Sequence, residues 1–278
     1  MAADYSQIEM RVLADACQDP GLSKLFASLG SDGASSGGGD VYRGLAAEVF
    51  KKEAGTVSDA ERTRAKVVCL GIIYGMGTPQ VARKLGVTES QAHGLVRSFL
   101  KAFPKIEPFL AATRRYARDK GYVCTLTGRR RHLPEINNAR SAVLKAQAER
   151  QAVNSVVQGT AADIIKSAMV LLAVRLDQWR RSLQPGGDSP RMIMQIHDEL
   201  VFECPAREED LGKLKGLLKK CMEEETPARL GIKCPLTVNM LVGMSWGSMR
   251  HVVAVSCESS SSDVDDEDSF VSDSERLT

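Results

Sequence analysis

Apolar residues recur at helical spacing from Val41 to about Tyr74 and again from Pro79 to Lys120. A Gly/Ser stretch at 28–40, SLGSDGASSGGGD, precedes them as a loop. Residues 121–136, GYVCTLTGRRRHLPEI, alternate around a Thr-Gly turn and predict a hairpin. A long helix is predicted over about 140–181, stopped by QPGGDSP. RMIMQIHDELVFEC, 191–204, is the strongest strand signal and predicts two strands folded at the His-Asp turn. A helix over 207–227 and a final strand, LTVNMLVG, follow. Near the start, ADYSQIEMRVLA puts Asp4 at a strand end just before a helix. There is no internal repeat.

The 278 residues suffice for one large domain or two small ones, and 43% apolar with 26% charged residues is ordinary for a globular chain. Charge is unevenly spread. From Glu258 to Thr278 there are eight acidic residues and one arginine, a net −7, so the chain total of +2 leaves +9 on the first 257 residues. That balance suits a polyanionic partner. Beyond about Val255 the acidic, Ser-rich sequence cannot bury enough apolar surface to offset its ordering entropy and is predicted to be disordered. Its acids and serines make residues 255–278 a candidate contact for protein partners. Seven cysteines with no C-x-x-C spacing read as reduced intracellular thiols, which excludes a disulfide frame and a zinc site. No run of about 18 apolar residues predicts a membrane span, and the first ten residues do not resemble a signal peptide.

Three polar constellations carry candidate chemistry. QIHDELVFE, 195–203, sets Asp198 and Glu199 among apolar, β-prone neighbours, where an unpaired charge is costly. Asp4 and Asp198, 194 positions apart, are both at strand ends and could share divalent cations. Hard oxygen donors without a His or Cys cluster favour Mg²⁺, with Mn²⁺ as the alternative. The same residues also suit a helix cap and a hairpin turn, and on their own both readings stand. In RTRAKVVCLGIIYGMG, Arg62, Lys66, Leu70 and Tyr74 are spaced by four and share a helical stripe. It runs from cations to an aromatic ring, the polarity of a nucleoside triphosphate, and ends at Gly75 and Gly77, which would let the helix move as a lid. An amphipathic helix with solvated cations has the same spacing. In ERQAVNSVVQGTAAD, Arg150, Asn154 and Gln158 put hydrogen-bond donors on one helical face, suited to minor-groove acceptors found on every base pair. GRRRHLP, with Arg129 and Arg130, adds a basic hairpin suited to phosphates.

Taken in order, these blocks resemble DNA polymerase family A, the DNA polymerase I superfamily. DYSQIEMRVLA is similar to its motif A, RTRAKVVCLGIIYGMG to motif B and QIHDELVFE to motif C, and the likeness runs from Ala3 to about Trp246. KAQAERQAVNSVVQG and GMSWG are most similar to the eukaryotic nu and theta branches, with nu ahead. The resemblance implies an α+β fold: a palm of antiparallel sheet and helices over 1–254, with α-helical fingers at about 41–120. It implies template-directed addition of dNTP to a DNA primer, repair or translesion synthesis as the setting, and a nuclear location. Asp4 and Asp198, with the Tyr5 carbonyl, would bind two Mg²⁺ ions, and Glu199 would support them. Glu9 would close the space of a ribose 2′-OH. Arg62 and Lys66 would hold the triphosphate, Lys66 also protonating pyrophosphate, and Leu70 and Tyr74 would flank the nucleotide. Gln7, Arg150, Asn154, Gln158 and His197 would line the primer–template.

Motif A begins at residue 4, whereas the family sets a thumb, an earlier palm segment and often an exonuclease before it. This extent of chain is therefore expected to extend primers weakly or to act as a non-catalytic short form that binds DNA or partners. A competing reading takes QVARKLGVTESQAHGLVRSF, 80–99, as a helix-turn-helix of a DNA-binding regulator. The second departure is Leu70, where the family usually has Phe or Tyr, and it removes ring packing from the sugar. Leu70→Tyr is expected to lower the KM for dNTP and to shift dideoxynucleotide discrimination; unchanged steady-state kinetics would contradict this.

Overall fold

A computed structural model of the chain describes residues 1–30, 40–138, 141–184 and 187–251. Most of the Gly/Ser loop and the acidic 255–278 segment lie outside the described residues. Strand β1 (Ala2–Tyr5) turns through Ser6 and Gln7 into helix α1 (Ile8–Cys17), with Gln7 in the left-handed region at φ 44°. Helix α2 (Pro20–Gly30) follows. Helix α3 (Val41–Phe50) starts at Asp40, whose carboxylate accepts from the backbone N–H of Tyr42 at 3.0 Å and of Arg43 at 3.3 Å. Helix α4 (Asp59–Ile73) opens on a capping box between Ser58 and Glu61. Helix α5 (Thr78–Leu85) ends at Gly86 in the left-handed region, and α6 (Glu89–Ala102) opens on a second capping box, Thr88 with Gln91. Helix α7 (Ile106–Lys120) ends at Gly121, φ 72°. The two long helical stretches predicted over 41–120 are thus five helices, broken where these caps satisfy the end groups.

The predicted hairpin has short strands, β2 (Tyr122–Cys124) and β3 (Arg130–His132), and leads through one turn of helix, α8 (Glu135–Asn138), to helix α9 (Ala142–Arg181). Strands β4 (Arg191–Ile196) and β5 (Glu199–Glu203) form the pair predicted around His197 and Asp198. Helix α10 (Glu208–Lys219) passes through a π-helical segment (Lys220–Glu225) into α11 (Thr226–Leu230), where a single helix was predicted. Strands β6 (Val238–Val242) and β7 (Arg250–His251) finish the described chain.

All five long-range strands form one antiparallel sheet in the order β4-β5-β1-β6-β7. The first strand therefore lies in the middle. Asp4 is opposite Glu199 of β5 on one side and Asn239 of β6 on the other. Helix α1 packs under this sheet and against α9, and Tyr5, Leu13, Ile164 and Leu200 lie in the same core. A smaller cluster, including Val123, Leu133, Ala148 and Ala152, fixes the β2–β3 hairpin to the first half of α9. At 40 residues, α9 is about 60 Å long. One 18-residue window of it has a mean hydropathy of 1.4, apolar enough by composition to cross a membrane, and 44% of that window is buried inside the fold.

Arg11 locks the turn between β1 and α1. It is 2% exposed, and its Nε donates to the Ser6 carbonyl at 2.8 Å. Nη1 donates to the Pro235 carbonyl and Nη2 to Thr237 Oγ1 at 2.7 Å, while the guanidinium carbon lies 4.8 Å from the Phe26 ring centre. A buried guanidinium held by neutral acceptors ties β1, α1 and the entry to β6 into one unit. Arg11→Met is expected to cost about 3 kcal/mol or more, because it leaves the buried Ser6 carbonyl without a donor and unties the partly buried Pro235 carbonyl and Thr237 hydroxyl. Urea unfolding checks this; a loss below about 1 kcal/mol would contradict it.

Candidate active site

Sheet register brings the three carboxylates together. The Tyr5 N–H donates to the Asp198 carbonyl at 3.2 Å, and Asp4 is the cross-strand partner of Glu199. Asp198 sits in the β4–β5 turn after His197, whose backbone is left-handed, φ 51°, and whose carbonyl accepts from Gln195 Nε2 at 2.7 Å. Burial, followed by the charges of Asp198 and Glu199, pushes the Asp4 carboxyl up from 3.8 to about 7. Neither aspartate has an ion pair with Lys, Arg or His among the described residues. Glu199 accepts from Trp246 Nε1 at 3.3 Å, a contact the sequence does not announce.

Among the described residues, no three His, Cys, Asp or Glu side chains are arranged as a complete metal cage. The hard oxygen donors that the fold does bring side by side are the carboxylates of Asp4 and Asp198, neither with a cation partner among the described residues. That set fits Mg²⁺, which keeps most of its shell for water and substrate oxygens and takes one or two carboxylates.

Asp198 opens on a cleft of about 530 Å³ that also gathers Glu9, Leu70, Tyr74, Gln158 and His197. Asp4 and Glu199 line a neighbouring cavity of about 190 Å³ with Asn239. The α4 stripe points outward because the opposite face of that helix, Ala65, Val68, Cys69 and Ile73, is buried. Tyr74 closes the stripe by donating to Glu9 Oε2 at 2.6 Å, and burial with that bond pushes its phenol up to about 12. At the other end, Arg62 is paired with Asp40. Lys66 Nζ lies over the Tyr42 ring at 5.3 Å from its centre.

The remaining predicted residues divide. Gln7 accepts from Ser6 Oγ at 2.8 Å beside the cleft. Gly75 has φ 64°, and a Cβ there would come within 2.6 Å of Arg150 Cγ, so Arg150 packs directly on the end of the α4 stripe. The Asn154 side-chain oxygen is buried with no hydrogen-bond partner, a deficit of about 1–3 kcal/mol that a bound donor would recover. Arg129 is engaged internally: Nε contacts Asp163 Oδ1 at 2.7 Å and Nη2 the Gly159 carbonyl at 3.0 Å. It straps the hairpin to α9, and Arg130 lies over the Tyr122 ring at 5.0 Å. Residues 80–99 do form two helices joined by a short turn. Sequence reasoning missed Asp40 and Tyr42. Nothing local in the sequence indicated the contact of Asp40 with Arg62.

The profile of DNA polymerase family A matches residues 1–248, which include the helical pair at 80–99. DNA polymerase theta of Drosophila melanogaster is 37% identical over 91% of this chain and 12% of its own length. DNA polymerase I of Pseudomonas aeruginosa is 39% identical over 88% of this chain and 24% of its own. Among solved structures, the POL domain of Pol1 from M. smegmatis, in complex with DNA primer-template and dNTP, superposes with a TM-score of 0.77. It is 32% identical and covers 90% of this chain and 40% of that one. The chain thus spans about an eighth to a quarter of the curated relatives' length.

The raised Asp4 carboxyl makes stability pH-dependent. The folded protein keeps a proton that the unfolded chain releases near pH 4, so stability falls as pH rises from about 4 to about 7 and then levels off. In EDTA, Asp4→Asn is expected to be more stable than wild type at pH 8 by on the order of 1–2 kcal/mol after solvent screening, the gap closing toward pH 4. Urea titrations at both pH values check it; a gap of constant size would contradict it.

Proposed function

The chain belongs to DNA polymerase family A, and from that membership we propose that it adds deoxynucleotides to the 3′ end of a DNA primer under a template's direction. The observation that carries this reading is the carboxylate cluster without a cation partner among the described residues, whose Asp198 opens on a cleft lined by Leu70 and Tyr74, the C-terminal half of the α4 stripe that begins with Arg62 and Lys66. A family-wide use of divalent metals agrees with that cluster.

Asp4 and Asp198, with the Tyr5 carbonyl, would hold two Mg²⁺ ions, or Mn²⁺ in their stead, and Glu199 would steady them. When bound, such ions activate the primer hydroxyl and offset charge on the leaving pyrophosphate. Arg62 and Lys66 bind and orient the triphosphate, and Lys66 supplies a proton to the departing pyrophosphate. Releasing Arg62 from Asp40 is part of that binding. Glu9, pinned by the Tyr74 hydroxyl, fills the space next to the sugar's 2′ carbon and favours deoxyribose. Leu70 packs on the sugar, and Tyr74 flanks the nascent pair.

Gln7, Arg150, Asn154, Gln158 and His197 face the primer–template. The buried Asn154 oxygen without a partner supports a ligand there. Arg129 and Arg130 contact phosphates from the hairpin, Arg129 with the half of its side chain left exposed. The +9 charge of the first 257 residues favours this partner. We assign residues 41–120 to fingers and the rest of 1–254 to palm. Repair or translesion synthesis in the nucleus is the setting we infer from the likeness to the nu and theta branches, with the 255–278 segment as a contact for protein partners.

Primer extension with Mg²⁺ tests the reading. Asp4→Asn and Asp198→Asn are each expected to lower kcat by on the order of 10³-fold or more, since each removes a metal-binding charge from the reacting centre. No extension by wild type, or activity surviving both substitutions, overturns it.

A further inference from the structure

Tyr42 belongs to none of the three motif blocks, yet it sits where two of them meet. It is 9% exposed, lines the same cleft as Glu9, Leu70 and Asp198, and comes from the first turn of α3. Lys66 Nζ lies 5.3 Å and the Arg62 guanidinium carbon 5.9 Å from its ring centre, both within reach of the ring's negative face. Burial pushes the phenol up to about 12, so the ring is neutral and adds no competing charge. Its hydroxyl has no hydrogen-bond partner among the described residues, so the ring is the part of Tyr42 that makes the electrostatic contacts.

The two cations are held differently. Arg62 has a carboxylate partner, Asp40, two residues before Tyr42 on the same helix start. Lys66 has no carboxylate partner among the described residues; the ring is its counterweight. Two like charges one helical turn apart repel, and long side chains lose rotamer freedom when an anion fixes them. A ring face beneath both meets those costs beforehand. Unlike a carboxylate, it does not compete for the anion.

We propose that Tyr42 is a positioning residue for polyphosphate binding: its ring face holds Arg62 and Lys66 together at the cleft before the nucleotide arrives. This rests on the nucleotide-binding reading above, and it makes the first turn of α3 part of the nucleotide site. Tyr42 acts through the two cations, and its hydroxyl is dispensable.

The test is equilibrium binding of mant-dATP to the full chain with primer–template, read by fluorescence. Tyr42→Leu is expected to weaken binding about fivefold to tenfold, and Tyr42→Phe to recover wild-type affinity within about twofold. Pentafluorophenylalanine at position 42 keeps the ring's size and inverts its face charge; it should weaken binding as Leu does, and it decides the matter if Tyr42→Leu does not fold. In a Lys66→Met background the Tyr42→Leu penalty should shrink. The inference is overturned if the fluorinated ring binds like Phe, if Phe loses as much as Leu, if the penalty is unchanged without Lys66, or if wild type does not bind mant-dATP. Wild type that binds mant-dATP without extending a primer would overturn the polymerase reading and leave these comparisons to decide Tyr42.

Discussion

Asp4 and Asp198 repel each other, and the fold holds them together regardless. Their proximity follows from backbone pairing: β1 is hydrogen-bonded on both sides, and the β4–β5 turn carries Asp198 against it. The sheet's hydrogen bonds and the apolar residues beneath it outweigh the repulsion. Arg11 then fixes the turn that leads from Asp4 to Glu9. Loss of any one of these supports would let the carboxylates separate, and the affinity of the cluster for cations would go with it.

The same economy governs the cleft. Helix α4 buries one face completely and so commits its opposite face to the opening. Its N-terminal end carries cations held by Asp40 and Tyr42, and its C-terminal end carries Tyr74 held by Glu9. The stripe is therefore anchored at both ends by residues from other elements, with Leu70 between. Arg150, packed on Gly75, links the far end to α9, so the nucleotide side and the candidate DNA side share a contact.

Much of this was legible in the chain because it is periodic. Spacing by four aligned the α4 and α9 residues, and the His-Asp turn between β-prone runs located Asp198. The breaks within 41–120 were harder to read, because apolar spacing continues across them while the end groups are settled by capping boxes and left-handed glycines. The hairpin's basic cluster was legible as suited to phosphates, but its internal tie was not: Arg129 pairs with Asp163, 34 residues on, in α9. Asp40 and Tyr42 were invisible for the same reason: their partners lie on another helix. Local pattern reports which face a residue takes but not what waits there.

A central strand whose two neighbours both come about 200 residues or more later also shapes how the protein is made. β1 pairs with strands about 200 and 235 residues later, so the middle of the sheet closes by contacts of high sequence separation. At ribosomal rates of about 5–20 residues per second, β1 waits roughly 10–50 s for both neighbours to emerge. In that interval its two edges are open, and Ala2, Ala3 and Tyr5, all buried in the finished fold, have no sheet to enter. The helices between, which form from local contacts, must assemble first and hold the strand's place until β5 and β6 arrive.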